Sequence, residues 1–207
     1  MTIKTILFDF GGVLYKTINL NWLRKWKNLL GIVNDSEMID LLTNPNESSL
    51  IQDICLGRLP EEALWEKMAN DWHIRPLFIK YFQRRMIAKS SLNTPMVKFL
   101  AALHKDFQTA ILSNAGSQSR KLMEENFHLD RHVEDIIISA EEGVIKPDPR
   151  IYHIALARLD ADPKQTLFLD DALINVFSAR ELGMTAVQFI NNQQAFEMVR
   201  CQIESEV

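Results

Sequence analysis

Four polar clusters in this chain sit where they could do chemistry. Asp9 closes the apolar run Ile6-Leu7-Phe8 and is followed by Phe10-Gly11-Gly12-Val13. A buried strand can deliver such a carboxylate to a sheet edge, and glycines after it let the backbone approach a ligand closely. The aspartate then serves as metal ligand, nucleophile or plain strand-end turn residue. Ser113-Asn114-Ala115-Gly116-Ser117 follows the apolar Ala110-Ile111-Leu112. Its hydroxyls and amides either cap the next helix or hold phosphate oxygens. Lys146-Pro147-Asp148-Pro149 reads as a solvated loop leading into a helix with proline in its first turn, or as a cation brought to the same site. Asp170-Asp171 ends the run Leu167-Phe168-Leu169. Two adjacent carboxylates at the end of a buried strand repel each other unless a cation lies between them. A hard divalent ion with oxygen ligands, Mg²⁺, is the natural one.

These clusters are far apart in sequence, so the fold has to gather them. Strand-like runs fall at Ile6–Asp9, Thr109–Ser113, Asp135–Ser139, Thr166–Asp170 and Ala186–Ile190. Helical spacing of apolar residues recurs at Met96–His104, Gln118–Phe127, Pro149–Leu159 and Ala172–Leu182, and again after Asn191. Gly183 stands where a C-cap glycine belongs. Strands alternating with helices predict an α/β class, with a parallel sheet covered on both faces. Right-handed crossovers place every strand's C-terminal end on one edge, where ligands bind.

Residues 16–91 break the alternation. They read as helices only, at Asn21–Leu30, Ser36–Leu42, Ser48–Cys55, Pro60–Trp72 and Pro76–Lys89, with a turn at Gly57-Arg58-Leu59-Pro60. Trp22, Trp26, Trp65 and Trp72 all lie here and are expected to form the core of this insert. Placed directly after the first strand, it would sit above the C-terminal edge as a cap. The domain reading is therefore a core of residues 1–15 and 92–207 with a helical cap of residues 16–91.

Bulk properties narrow the partners. At 47% hydrophobic residues over 207, the chain can build a sizeable core. A net charge of -4 with no basic stripe argues against nucleic acid. No apolar run approaches the roughly 20 residues that span a bilayer. The N-terminus enters a strand pattern without a signal peptide, and Cys55 and Cys201 form no metal or redox spacing, so the expectation is a cytoplasmic protein with free thiols. His128 and His132 are four residues apart without a third ligand, and read as surface. Oligomeric state is left open.

Taken together, the motifs resemble those of the haloacid dehalogenase (HAD) superfamily. Phe8-Asp9-Phe10-Gly11-Gly12-Val13 is similar to its first motif and Ile111-Leu112-Ser113-Asn114 to its second. Lys146-Pro147-Asp148-Pro149 with Ile151-Tyr152 is similar to the third. Phe168-Leu169-Asp170-Asp171 with Asn175 and Leu182-Gly183-Met184 is similar to the fourth. The resemblance implies a Rossmann-like, three-layer α/β/α core of strand order 5-4-1-2-3 with a type 1 helical cap. It also implies a Mg²⁺-dependent phosphatase acting on a small phosphorylated metabolite through an aspartyl-phosphate. In that reading Asp9 is the nucleophile, and Asp9, the Gly11 carbonyl and Asp171 hold the metal. Asp170 holds a metal-bound water and orients Lys146. Ser113 and the Asn114 amide bind phosphoryl oxygens, and Lys146 neutralises charge.

One position departs from the pattern. Most phosphatases of the superfamily carry a second aspartate two residues after the nucleophile, and here that residue is Gly11. General acid–base help contributes roughly 10²- to 10⁴-fold. Three readings follow: a substrate with a good leaving group, such as a sugar 1-phosphate or acyl phosphate; a proton supplied from the cap, with Asp53, Arg58, Glu61 and His73 as candidates by type; or a phosphate-binding protein with little turnover. A metal-free 2-haloacid dehalogenase would also lack that aspartate, but Gly11-Gly12-Val13 and the Asp170-Asp171 pair fit it poorly.

Overall fold

The computed structural model describes residues 2–16, 48–71, 79–81, 84 and 91–204. Its centre is a five-stranded parallel sheet of β1 (Thr5–Phe8), β2 (Gln108–Ser113), β3 (Asp135–Ile138), β4 (Thr166–Asp170) and β5 (Thr185–Gln188). The spatial order is β5-β4-β1-β2-β3, as the resemblance implies. β1 is central, with Phe8 opposite Ile111 on one side and Leu169 on the other. The described helices are α1 (Ser49–Cys55), α2 (Glu62–Asp71), α3 (Thr94–Leu103), α4 (Gln118–Lys121), α5 (Ser139–Glu142), α6 (Pro149–Arg158), α7 (Leu173–Glu181) and α8 (Asn192–Glu204).

Strand alternation divides the core into two layers. Ile6, Phe8, Ile111, Leu167 and Leu169 face Met96 and Leu100 of α3 and Ala195 and Val199 of α8. Leu7, Ala110, Leu112 and Phe168 face Ile151, Tyr152 and Ala155 of α6 and Val176 and Ala179 of α7. Both faces of the sheet are thus covered, which is why its strands read as continuous apolar runs rather than alternating ones.

Strand ends fall within two residues of the sequence expectation. Three differences have local causes. Ser139 leaves β3 and starts α5, four residues too short to show a helical period. The helix expected to run to Phe127 widens into a π-turn over Leu122–Asn126. Phe127 then packs its ring against Phe10 and Tyr15, which stack on each other at 5.0 Å. His128 takes a left-handed conformation (φ 52°) ahead of a 3₁₀ turn at Leu129–His132. In the insert, the patterns expected at Asn21–Leu30 and Ser36–Leu42 lie outside the described residues, as do Trp22, Trp26 and Trp72. Of the pattern at Pro76–Lys89, Ile79, Lys80, Tyr81 and Arg84 are described, and they are helical. Among the described residues no helix is long and apolar enough to cross a membrane.

The insert leaves and re-enters the sheet through one narrow point. Tyr15–Lys16 pairs antiparallel with Ser91–Leu92. Asn93, buried beside this ladder, donates its side-chain amide to Val13 O at 2.8 Å and to Asn192 Oδ1 at 2.7 Å, and Asn192 donates back to Asn93 Oδ1 at 2.9 Å. The turn that follows Asp9 is thereby tied to the starts of α3 and α8. Asn93→Ala would leave the Val13 carbonyl and the Asn192 amide unpaired, and each such loss costs about 1–3 kcal/mol. Urea unfolding of this variant should show a lower midpoint at unchanged m-value.

Candidate active site

The C-terminal ends of β1, β2 and β4 bring the four clusters together. Lys146 is the hub. Its Nζ donates to Asp9 Oδ1 at 2.7 Å, Asp170 Oδ2 at 2.7 Å and the Leu112 carbonyl at 2.9 Å. All three ammonium hydrogens are placed, and Phe168 lies beneath, its ring centroid 5.4 Å from Nζ. The residue is 3% exposed, Asp9 6% and Asp170 0%. The reading of Lys146 as a solvated loop residue is thus overturned, although the loop after it does start a helix as proline and aspartate suggest. Asp148 caps α6 by accepting the Arg150 N–H, with Pro149 in the first turn.

Burial sets the protonation of this trio. Desolvation pushes Asp9 up to about 7, against the pull of the Lys146 charge. Burial pulls Lys146 down, but Asp170 and Asp9 together outweigh it and hold the ammonium above its ordinary value. The lysine therefore stays charged throughout the physiological range.

Asp170 and Lys146 are each braced by further residues. Asp170 Oδ1 accepts the Ala172 N–H at 2.8 Å, and Asn175 of α7 donates to both Asp170 oxygens at 3.0 and 3.1 Å. The Asn175 carbonyl accepts the hydroxyl of buried Tyr152 at 3.0 Å, and Ser178 one turn on donates to Pro147 O at 2.6 Å. The Asn114 side chain grips the backbone of Lys146, accepting its N–H at 2.7 Å and donating to its carbonyl at 2.8 Å. Sequence reasoning gave the Asn114 amide a part in phosphate binding and missed this side-chain brace. It also assigned no role to Asn175, although that residue stands one turn into the helix after Asp171, where it can reach back to the strand end.

Among the described residues no hydrogen bond takes Asp9 Oδ2, since Lys146 is on Oδ1. Ser113 is the last residue of β2 and 2% exposed, and among the described residues no hydrogen-bond partner takes its hydroxyl. Asp171 stands at the rim with its carboxylate against the backbone of Gly12. A Cβ on Gly12 would overlap Asp171 Oδ2, and Gly12 has φ +84°, so this glycine is required twice over. Gly11 has no positive φ and is not required on that ground. Partial desolvation and the nearby Asp170 charge push the Asp171 carboxyl up. Asp9, Asp170 and Asp171 each offer an oxygen, all within 4.8 Å of one another, the sole such cluster among the described residues. Three carboxylates against one ammonium leave excess negative charge, and an all-oxygen donor set of that kind fits a hard divalent cation. Asp170 has both oxygens engaged by protein groups, which leaves Asp9 and Asp171 as the better direct ligands.

Among the described residues, none of the acids considered in the insert is paired with this trio. Asp53 and Arg58 pair with each other at 3.0 Å on an exposed surface. Glu61 instead accepts the Gln118 N–H at 3.1 Å. His73 lies outside the described residues. Cys55 is half-buried, its thiol pushed up to about 11 by burial and then by Glu61, so it is a poor nucleophile at neutral pH. Cys55 forms no disulfide.

The arrangement has known counterparts. The sequence pattern of the haloacid dehalogenase-like hydrolase family matches residues 3–183. Bifunctional epoxide hydrolase 2 of Mus musculus is 35% identical over 214 residues, covering 94% of this chain but 38% of the mouse protein, so this chain spans well under half of that relative. Glyceraldehyde 3-phosphate phosphatase of Pyrococcus furiosus is 31% identical over 203 residues, covering 90% of this chain and 80% of the relative. A HAD family enzyme of Bacteroides thetaiotaomicron, crystallised with magnesium and inorganic phosphate, shares the fold with a TM-score of 0.74 at 23% identity, over 90% of this chain and 93% of that one.

Removing the hub should be costly. Lys146→Met leaves Asp9 and Asp170 facing each other without their buried partner, which lowers stability by about 3–5 kcal/mol. Chemical unfolding in EDTA measures the loss, and a variant as stable as the wild type would contradict the ion-pair assignment.

Proposed function

Because the chain belongs to the haloacid dehalogenase-like hydrolase family, we propose that it is a Mg²⁺-dependent phosphatase that cleaves a small phosphate monoester, a sugar phosphate or similar metabolite. The observation that carries this reading is the Asp9–Lys146–Asp170 trio with Asp171 beside it, a buried site with an excess of carboxylate next to an unclaimed serine hydroxyl. Two like-charged reactants, a carboxylate and a phosphate dianion, need positive charge between them, and this site holds a fixed ammonium and the donors for a cation.

In this reading Asp9 Oδ2 forms a bond to phosphorus while the bond from phosphorus to the alcohol oxygen breaks. The departing oxygen takes the electron pair and then a proton from water. A second water hydrolyses the aspartyl-phosphate, releasing inorganic phosphate and returning Asp9 as carboxylate. Ser113 Oγ and the Asn114 N–H donate to the phosphoryl oxygens, and Lys146 steadies Asp9 and offsets charge at the transferring group. Mg²⁺ would be held by Asp9, Asp171 and the Gly11 carbonyl, with Asp170 supporting it from the outer shell, and would neutralise phosphoryl charge. Residues 16–91 act as a cap that admits substrate and excludes water.

Gly11 shapes the substrate preference. With no carboxyl there to protonate the leaving oxygen, phosphates with good leaving groups, sugar 1-phosphates and acyl phosphates among them, are favoured. A metal-free dehalogenase has no use for Mg²⁺, whereas the cluster of Asp9, Asp170 and Asp171 suits a cation.

The decisive experiment is phosphate release from sugar phosphates, nucleotides, acyl phosphates and p-nitrophenyl phosphate, with Mg²⁺ and with EDTA. Turnover should require the metal and vanish in Asp9→Asn, which keeps the fold. Mg²⁺-dependent phosphate binding without turnover would favour a binding protein instead. Gly11→Asp, at a position without a positive φ, should raise activity on poor leaving groups by about 10²-fold, the lower end of general acid catalysis. No gain in a folded Gly11→Asp variant would mean that proton supply is not what this site lacks.

A further inference from the structure

The loop that carries Ser113 and Asn114 is shaped in part from across the insert. α4 begins at Ser117-Gln118, and the Ser117 side chain caps nothing. The Gln118 N–H goes instead to Glu61 Oε1 at 3.1 Å, and the Gln118 side chain donates to Glu62. Glu61 sits at the start of α2, 57 residues earlier in the chain. Its carboxylate passes directly over Gly116, where any Cβ would overlap Glu61 Oε1. A second tie lies beside the first. The Ser139 hydroxyl accepts the Ala115 N–H at 3.0 Å and donates to the Cys55 carbonyl at 2.7 Å, so the end of α1 reaches the loop through one hydroxyl. Gly57, at φ +70°, lies against the Ala140 carbonyl with no room for a Cβ. The loop is therefore gripped at Ala115 and at Gln118, with Gly116 between. Burial pushes the Glu61 carboxyl up, with Glu62 adding to the shift, while the Gln118 N–H opposes it.

We propose that Glu61 is a positioning residue: it holds the loop after β2 in the shape that presents Ser113 and the Asn114 amide to a phosphoryl group, so that phosphate affinity depends on the insert being docked. The proposal rests on the phosphatase reading above. Glu61 touches no reacting atom in it, and the proton-donor role considered for it from its residue type is replaced by this one. Gly116 is glycine because the carboxylate needs its space.

Two measurements on the intact chain test this. The first is amide hydrogen exchange across residues 114–121, which needs no turnover. The second is inhibition by inorganic phosphate, with KM and kcat for p-nitrophenyl phosphate, in Mg²⁺. Glu61→Ala should speed exchange in the loop and raise both the phosphate inhibition constant and KM by about tenfold, the scale of one charge-assisted hydrogen bond, with a smaller change in kcat. Glu61→Gln should recover most of both, because its amide oxygen still accepts the Gln118 N–H. Gly116→Ala should reproduce the Glu61→Ala effect from the loop side and add little to it in the double variant, where the space is free. Unchanged exchange in Glu61→Ala overturns the clasp. Faster exchange with unchanged phosphate inhibition overturns the positioning role. A loss confined to kcat that Glu61→Gln does not rescue would make Glu61 a proton donor and also overturn it. A wild-type protein that binds no phosphate removes the phosphatase reading and this proposal with it, while the exchange rates still report whether Glu61 holds the loop.

Discussion

An ammonium buried between two carboxylates is the constraint around which the molecule is arranged. Lys146 has no access to bulk water, and its charge is tolerable because Asp9, Asp170 and the Leu112 carbonyl take its three hydrogens. Those acceptors come from the ends of β1, β4 and β2, so the three central strands must end level with one another. A misplaced register at any of them would strand a buried charge. The outer supports serve the same end. Asn114 fixes the lysine backbone, Asn175 and the Ala172 N–H fix Asp170, and Tyr152 and Ser178 fix the elements from which these act.

The electrostatic balance around the lysine is deliberately uneven. One ammonium satisfies two carboxylates, and Asp171 brings a third into a partly desolvated rim. Asp9 feels both sides of this competition, raised by burial and opposed by Lys146. A centre of this kind attracts cations and holds a carboxylate, Asp9, whose ionisation depends on what else is bound. It is therefore better described as half of a charge arrangement than as a finished one.

The parts of this site that a sequence can carry were legible in it. Asp9, Ser113 and Asp170 each end an apolar run, and a parallel sheet sends every such end to the same edge, so pattern and topology suffice to bring them together. Lys146 lies in a loop, and its burial follows only from partners 24 and 137 residues away. The helices on both faces follow from periodicity in the same way, whereas the sheet order came only from the resemblance of the motifs to the family. Side-chain braces do not. Asn114 and Asn175 carry no local signature that separates a bracing amide from a helix cap. Asn93 and Asn192 find each other across 99 residues. Glu61 could be read only as a candidate acid by type, because a contact between two elements leaves no mark in the period of either.

The paired linkers carry a consequence of another kind. The chain leaves the sheet at Tyr15–Lys16 and returns at Ser91–Leu92, two strands joined in a single short ladder. The stretch between them is a closed loop whose ends already touch, so the sheet imposes no length on it, and lengthening such a loop costs little entropy. Selection can therefore rebuild, extend or exchange that whole stretch as a unit while the charged centre at the sheet edge stays as it is. The described part of the stretch meets the loop after β2 near Ala115, Gly116 and Gln118, and those contacts are the fitting that a replacement would have to accommodate.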